Sequence, residues 1–546
     1  MPSPHRSARC CTAILLASLA VALSVPLPGS ASAYNAHPKL IVIIVIDQFR
    51  GDYLERYRDQ FGEGGFRLFL DHGAYFSNCF YNYANTRTGP GHATLFTGAY
   101  SNGHGIADNE WWDPQKKKMV TSVEDASTKL VGPAGEHAGA SPHNLLADTL
   151  GDELRLATQG KSRVFGVSLK DRSAILPAGF AANGAYWIEP SSGAFVTSTY
   201  YRDNLPKWVQ EFNSSTPAKY WDREWKDDQG KVLRSTAHRK GRNGADAGFY
   251  EVVGGTAFAN EYELEFAKQL VTNENVGGGP ATDLLAVSLS ANDILGHAVG
   301  PDTPEMRQMA LDLDHQLAAF FNFVGQRIGL ANVWIALSAD HGVSFLPDAA
   351  QKLHIPAANL GKANLDQQIN AALTAKFSPA HPATYLRFDY PVAWLDNNAF
   401  AAVHVSEQDA EKAAGEAIKQ AGLRGYYTKS QLAAGEVPDT ELGHKYLNSY
   451  SPLGSWFVMG VPNFYNVGSS SGTDHASPYN YDTHVPLAFY GVPFQPGTYR
   501  ERAEPVDMAP TLASLLGINP PTHSIGRVLT DALTPAQSAG AGERKP

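Results

Sequence analysis

Short, unbroken apolar runs, several of them leading into an aspartate, constrain this chain more than any other feature. They are Leu40–Ile46, Val164–Leu169, Leu284–Leu289, Val333–Leu337 and Val485–Tyr490. Runs of this length without polar alternation suit strands buried on both faces, as in a parallel sheet. Helical patterns lie between them. In Pro304–Val324, for example, Met309, Leu313, Leu317 and Phe321 recur every four residues. Strands alternating with helices predict an α/β fold, a mostly parallel central sheet with helices on both faces. Residues 345–470 break the alternation and read as a cap inserted on that core, with a helix near Ser406–Ala421. Residues 187–255, rich in Trp and Tyr, read as a second insertion, and residues 123–143 as loop.

The first run ends at Asp47. The third leads through Ser288 and Asn292 to Asp293, and the fourth through Ser338 to Asp340-His341-Gly342. In open α/β sheets ligands bind beyond the carboxyl ends of the strands, so three acids from three strand ends can converge there. One strand-end Asp is ordinarily a helix N-cap; three of them, two with histidines nearby, make that reading harder to keep. Asp293 and His297 are four apart and share a helix face, and Gly472-Thr473-Asp474-His475 supplies another imidazole. Carboxylate and imidazole donors without thiolates suit zinc, and five or six of them suit two ions, which can clamp the attacking and leaving oxygens of an in-line displacement.

A nucleophile candidate lies in Asn85-Thr86-Arg87-Thr88-Gly89-Pro90-Gly91-His92. Thr88 is expected at a helix N-terminus, where free amides and the dipole favour an anion. A threonine hydroxyl is a poor nucleophile unless a metal lowers its pKa; taken alone, Thr88 reads as an N-cap. His92 and His104 read as structural. Lys170 and Arg172, alternating on an extended segment after the second strand, are expected on one side of it.

Taken in chain order, Asp47, Thr88-Gly-Pro-Gly-His, Asp293 with His297, Asp340-His341-Gly342 and His475 resemble the alkaline phosphatase superfamily. The likeness runs nearly the length of the chain. Within the superfamily it is greatest to the phosphate-irrepressible bacterial alkaline phosphatases, which are related to the nucleotide pyrophosphatase/phosphodiesterases. The resemblance implies a secreted di-zinc enzyme that hydrolyses small phosphate monoesters through a phosphothreonine at Thr88. It implies one zinc on Asp293, His297 and His475, and another on Asp47, Asp340 and His341 with Thr88. His484, in Tyr481-Asp482-Thr483-His484, is the rival to His475. It further implies that Asn109, Lys170 and Arg172 bind phosphoryl oxygens, the Lys-x-Arg pair marking a monoesterase. A phosphodiesterase of the same superfamily is the alternative, and a non-catalytic exported metal-binding protein the next. Sulfatases require a Cys or Ser in C/S-x-P-x-R, which Thr88-Gly89-Pro90-Gly91-His92 does not offer. Phosphoglycerate mutases of this fold use serine and are cytoplasmic.

Residues 1–33 carry Arg6 and Arg9, an apolar run from Cys11 to Val25, and Ala31-Ser32-Ala33. They read as a signal peptide cleaved before Tyr34, leading to the periplasm or beyond, without stable membrane insertion. Residues 34–534 are then the catalytic domain and 535–546 a disordered tail. Cleavage removes Cys10 and Cys11 and leaves only Cys79, so no internal disulfide is possible. A net charge of −10 argues against nucleic acid as a partner, and a monomer is expected.

Overall fold

A computed structural model describes residues 37–133, 138–241 and 244–534. The expected signal peptide and tail lie outside the described residues, whereas residues 38–533 belong to one unit. Its framework is an eleven-stranded sheet. The strands that matter for the site are β1 (Leu40–Ile46), β2 (Val164–Ser168), β3 (Asp283–Leu289), β4 (Val333–Ser338) and β5 (Leu487–Tyr490). From one edge the order is Gly497–Tyr499, Ala74–Phe76, β5, β4, β1, β3, β2, then Gly184–Ile188, Phe195–Ser198, Glu124–Val131 and Ala138–Ala140.

β4, β1, β3 and β2 run parallel, and Gly184–Ile188 continues the set. Every residue of β1 to β4 is buried, which requires cover on both faces and explains why these strands read as continuous apolar runs. The helices used below are α1 (Thr88–Thr97), α2 (Asp171–Ala178), α3 (Ala257–Asn273), α4 (Ala291–Val299) and α5 (Pro304–Ile328). α5 starts where Thr303 accepts a bond from the Met306 amide ahead of Pro304, and it buries Met309, Leu313, Leu317 and Phe321 in the main core.

Three expectations are corrected. β5 runs antiparallel to β4. The segment before it, residues 472–484, packs among the residues that follow the parallel strands, so the chain enters β5 from that end and runs back. Residues 123–143 are not merely loop: Glu124–Val131 and Ala138–Ala140 pair at the far edge of the sheet. That strand is largely polar and partly exposed, so no apolar run announced it. Within 187–255, Phe195–Ser198 pairs with Gly184–Ile188 and extends the main sheet.

Residues 345–470 include a separate antiparallel sheet, in the order Leu386–Asp389, Val392–Leu395, Phe457–Val461, Gly425–Thr428. Helices Leu365–Phe377 and Glu407–Gln420 share a distinct core with it around Ile369, Leu373, Phe400 and Ile418. Ser406 caps the second helix by accepting from the Asp409 amide.

Candidate active site

Sheet register decides which residues meet. Val45 pairs with Ser338 on one side and Ser288 on the other, and Ser288 pairs with Ser168. These four residues form one row across β4, β1, β3 and β2. Two residues beyond it stand Asp340, Asp47, Ser290 and Lys170. Ser290 opens α4, whose first turn carries Asp293 and whose last turn carries His297. Parallel pairing therefore delivers three acids and a lysine to one edge.

There the side chains converge. Lys170 Nζ lies 2.6 Å from Asp47 Oδ2 and 2.6 Å from Asp293 Oδ2. His297 Nε2 is 3.1 Å from Asp293 Oδ1. His341 Nε2 stands 3.5 Å from both Asp47 Oδ1 and Asp340 Oδ2. The His475 ring stacks on His341 with centroids 3.7 Å apart. Asp293, His297 and His475 bring donor atoms within 4.8 Å of one another, and so do Asp47, Asp293 and His341. The first set has the membership that the family resemblance implied for one ion. In the second, Asp293 takes the place given to Asp340, whose Oδ1 accepts from the amides of Gln48 and His341. His484 lies elsewhere, stacked on Phe80 with Nε2 bonded to the Ser77 carbonyl.

The ring nitrogens say what this cluster needs. Nδ1 of His297, His341 and His475 donates to the carbonyls of Thr473, Gly342 and Thr86 respectively. For His341 and His475 this leaves Nε2 as a lone pair, the arrangement of metal-ligating histidines held by a backbone carbonyl. His297 also donates from Nε2 to Asp293, and against the opposing effect of burial that carboxylate pushes it up to about 9. Asp47 Oδ1, Asp340 Oδ2 and His341 Nε2 are buried and make no hydrogen bond. Three buried carboxylates face one ammonium, so burial and the charges of Asp293 and Asp340 push Asp47 well above the usual carboxylate range. Burial and the neighbouring imidazoles hold His475 well below its usual value, and so neutral. The donor set fits divalent cations that prefer oxygen and nitrogen.

Thr88 is the first residue of α1 and is 2% exposed. The chain around it is tied to the cluster on both sides. Upstream, Thr86 accepts from His475. Downstream, a Cβ on Gly91 would stand 2.3 Å from the Asp340 carbonyl, so only glycine allows α1 this close. Asn109 Oδ1 accepts from the Gly89 amide at 2.7 Å. Lys170 and Arg172 do not alternate on one extended segment as expected: Lys170 is the extended cap of α2, the chain turns into the helix at Asp171, and Arg172 lies in the first turn with a buried Nε that makes no hydrogen bond.

Several contributors were not picked out from sequence. His92, taken as structural, lies 3.3 Å from Asp340 Oδ2 and accepts from Ser288 at Nε2. Arg87 reaches Asp108, Asp389 and Asp474 at 3.5–3.7 Å and donates to the Tyr390 carbonyl. Gln48 contacts two of the acids. The signal for these was proximity to a motif residue, which sequence alone cannot separate from accident.

A family model described as type I phosphodiesterase / nucleotide pyrophosphatase matches residues 41–443. The chain is 34% identical over 522 residues to alkaline phosphatase PhoV of Synechococcus elongatus, covering 91% of this chain and 93% of that protein. It is 32% identical over 520 residues to alkaline phosphatase PafA of Elizabethkingia meningoseptica, covering 91% and 94%. A crystal structure of wild-type PafA superposes with a TM-score of 0.82 at 30% identity, over 92% of this chain and 100% of that one. A protein of Myroides odoratus named calcium-transporting ATPase is 33% identical over 527 residues, covering 91% and 95%. Among the described residues no helix is long and apolar enough to cross a membrane.

Proposed function

We propose that this chain, which belongs to the type I phosphodiesterase / nucleotide pyrophosphatase family of the alkaline phosphatase superfamily, is a di-zinc phosphatase acting on small phosphate monoesters, with Thr88 as nucleophile. The observation that carries the reading is the gathering of three imidazoles and three buried carboxylates at one strand edge beside the start of α1, with Asp47 Oδ1, Asp340 Oδ2 and His341 Nε2 left without hydrogen bonds. Asp293, His297 and His475 would hold one zinc, and Asp47, Asp340 and His341 with Thr88 the other. Bound zinc supplies positive charge to developing phosphoryl and alkoxide charge and lowers the proton affinity of a nearby hydroxyl.

The chain's own residues do the rest. Thr88 Oγ forms a bond to phosphorus as the bond from phosphorus to the leaving-group oxygen breaks, and the proton given up by Thr88 ends on that departing oxygen, giving a phosphothreonine and an alcohol. Water then cleaves that bond, phosphate leaves, and Thr88 Oγ regains a proton. The start of α1 turns the positive end of its dipole toward the phosphoryl group. Asn109, anchored through Oδ1 by Gly89, leaves Nδ2 to donate to a phosphoryl oxygen. Lys170 and Arg172 supply the charge that a dianion needs beyond a diester. Residues 1–33 are read with this function as an export signal.

The test is steady-state turnover of a monoester, a diester and a sulfate ester by the zinc-loaded protein, with acid trapping of labelled phosphate. The monoester should lead and the label should fall on Thr88. Thr88→Ala should cut turnover by several orders of magnitude while keeping bound zinc. A preference for the diester would make the protein a phosphodiesterase. Full activity with no more than one ion per chain would remove the two-ion mechanism.

A further inference from the structure

The turn that follows β1 is strained. Gln48 sits at φ +63°, the left-handed region that favours glycine. Strain of this kind persists only where the surroundings over-determine it, and here three separate groups do so. The Gln48 amide donates to Asp340 Oδ1 at 3.0 Å. Its side-chain Nε2 donates to Asp293 Oδ1 at 2.7 Å. Asn292 Nδ2 donates to the carbonyls of both Asp47 and Gln48 at 3.0 Å. Residue 48 therefore touches one acid from each of the two ligand groups and follows directly on a third.

The opposite wall is shaped to admit it. A Cβ on Gly296, in α4, would stand 2.0 Å from Gln48 Oε1. Gly296 lies on the helix turn between Asp293 and His297 and is buried, so the glycine leaves room for the amide where α4 presents its ligands. A glycine at 48 would relieve the strain and keep the backbone donor, but it would remove the side-chain bond to Asp293. The protein instead carries a side chain where the backbone disfavours one, and removes a side chain from the helix facing it.

We infer that Gln48 is a positioning residue: its carboxamide holds Asp293 in register with Asp340 and Asp47, sets the spacing of the two metal positions, and depends on Gly296 for the room to do so. The inference rests on the di-zinc reading above.

The prediction separates folding from metal retention. Gln48→Gly should lower the melting of the zinc-free protein only modestly, because relief of αL strain offsets part of the lost bond to Asp293. The same variant should lose zinc affinity by about 10–100-fold, the usual effect of deleting a group that orients a metal ligand. Gly296→Ala should also weaken zinc binding, because its methyl group displaces the amide. Added to Gln48→Gly, it should cause no further loss, since nothing remains to displace. The experiment measures zinc affinity with a competing chelator, and melting of the zinc-free proteins, for the parent, both single variants and the double variant. Equal zinc affinity in the parent and Gln48→Gly overturns the role of Gln48. A fall in zinc-free melting that matches the zinc loss makes the residue merely structural. Additive losses in the double variant detach Gly296 from it. A parent that binds no zinc overturns the di-zinc reading itself, a result distinct from all three.

Discussion

Lys170 is the side chain whose two roles can be pulled apart. It neutralises part of a buried triad of acids, and in the proposed reaction it faces the phosphoryl group with Arg172. A monoester dianion offers one more anionic oxygen than a diester. Replacing both residues by Ala should therefore lower kcat/KM for the monoester far more than for the diester. Two charge-assisted contacts at about 1.5–3 kcal/mol each predict a selectivity change of about a hundredfold or more. Equal losses on both substrates would mean the pair only maintains the site. His104 makes a different prediction, about stability. It is fully buried, its Nδ1 accepts from the Ile106 amide and its Nε2 bonds Thr94. Burial pushes it down to about 3 from its ordinary 6.5, so the fold keeps it neutral while an unfolded chain takes up a proton below about 6.5. Stability should fall as pH drops from about 6.5 toward 3, by up to about 1.4 kcal/mol per unit. His104→Leu should be less stable at pH 7 but should lose that part of the acid slope, as read from denaturant midpoints at pH 7 and pH 5.

At the level of strands and helices, the sheet needed few sequence clues and the site needed more. Four parallel strands were legible because burial on both faces removes polar alternation. The direction of β5 was not legible, because an apolar run looks the same read either way; only the placement of the His475 segment fixes it. The Glu124–Val131 strand was hidden by its polar, half-exposed face. Asp47, Asp293 and Asp340 were legible because each follows a strand, whereas Gln48 and Arg87 act through neighbours far along the chain. So does Glu263 of α3, a buried carboxyl whose Oε1 accepts from the Leu169 amide at the end of β2 at 2.7 Å. The next residue is Lys170, so α3 steadies the strand end that delivers it. Glu263→Ala would orphan that amide and should cost about 1–3 kcal/mol in thermal or denaturant unfolding. Glu263→Gln retains an acceptor and should recover most of it. Equal destabilisation by both would place the effect in side-chain volume instead.

For the whole molecule, folding gathers like charge that it does not itself balance: three buried carboxylates at one edge with a single ammonium between two of them. A ligand that binds only the native state adds stability by mass action, about 2.7 kcal/mol at a hundredfold excess over Kd. Chelation should therefore lower the melting temperature, and zinc should restore it. A melting curve unmoved by either would leave the acids without a bound cation. Arg87 carries the argument to protein engineering. It stands half-buried one residue before Thr88 and shares its guanidinium among Asp108, Asp474 and, from the 345–470 segment, Asp389 and the Tyr390 carbonyl. That segment is therefore not a detachable module. A chimera that swapped it for a relative's version without an acid and a carbonyl at those two positions would remove partners from a half-buried cation beside the proposed nucleophile. Domain grafting in this chain has to treat Arg87, Asp389 and Tyr390 as one inheritable unit, although they stand some three hundred residues apart.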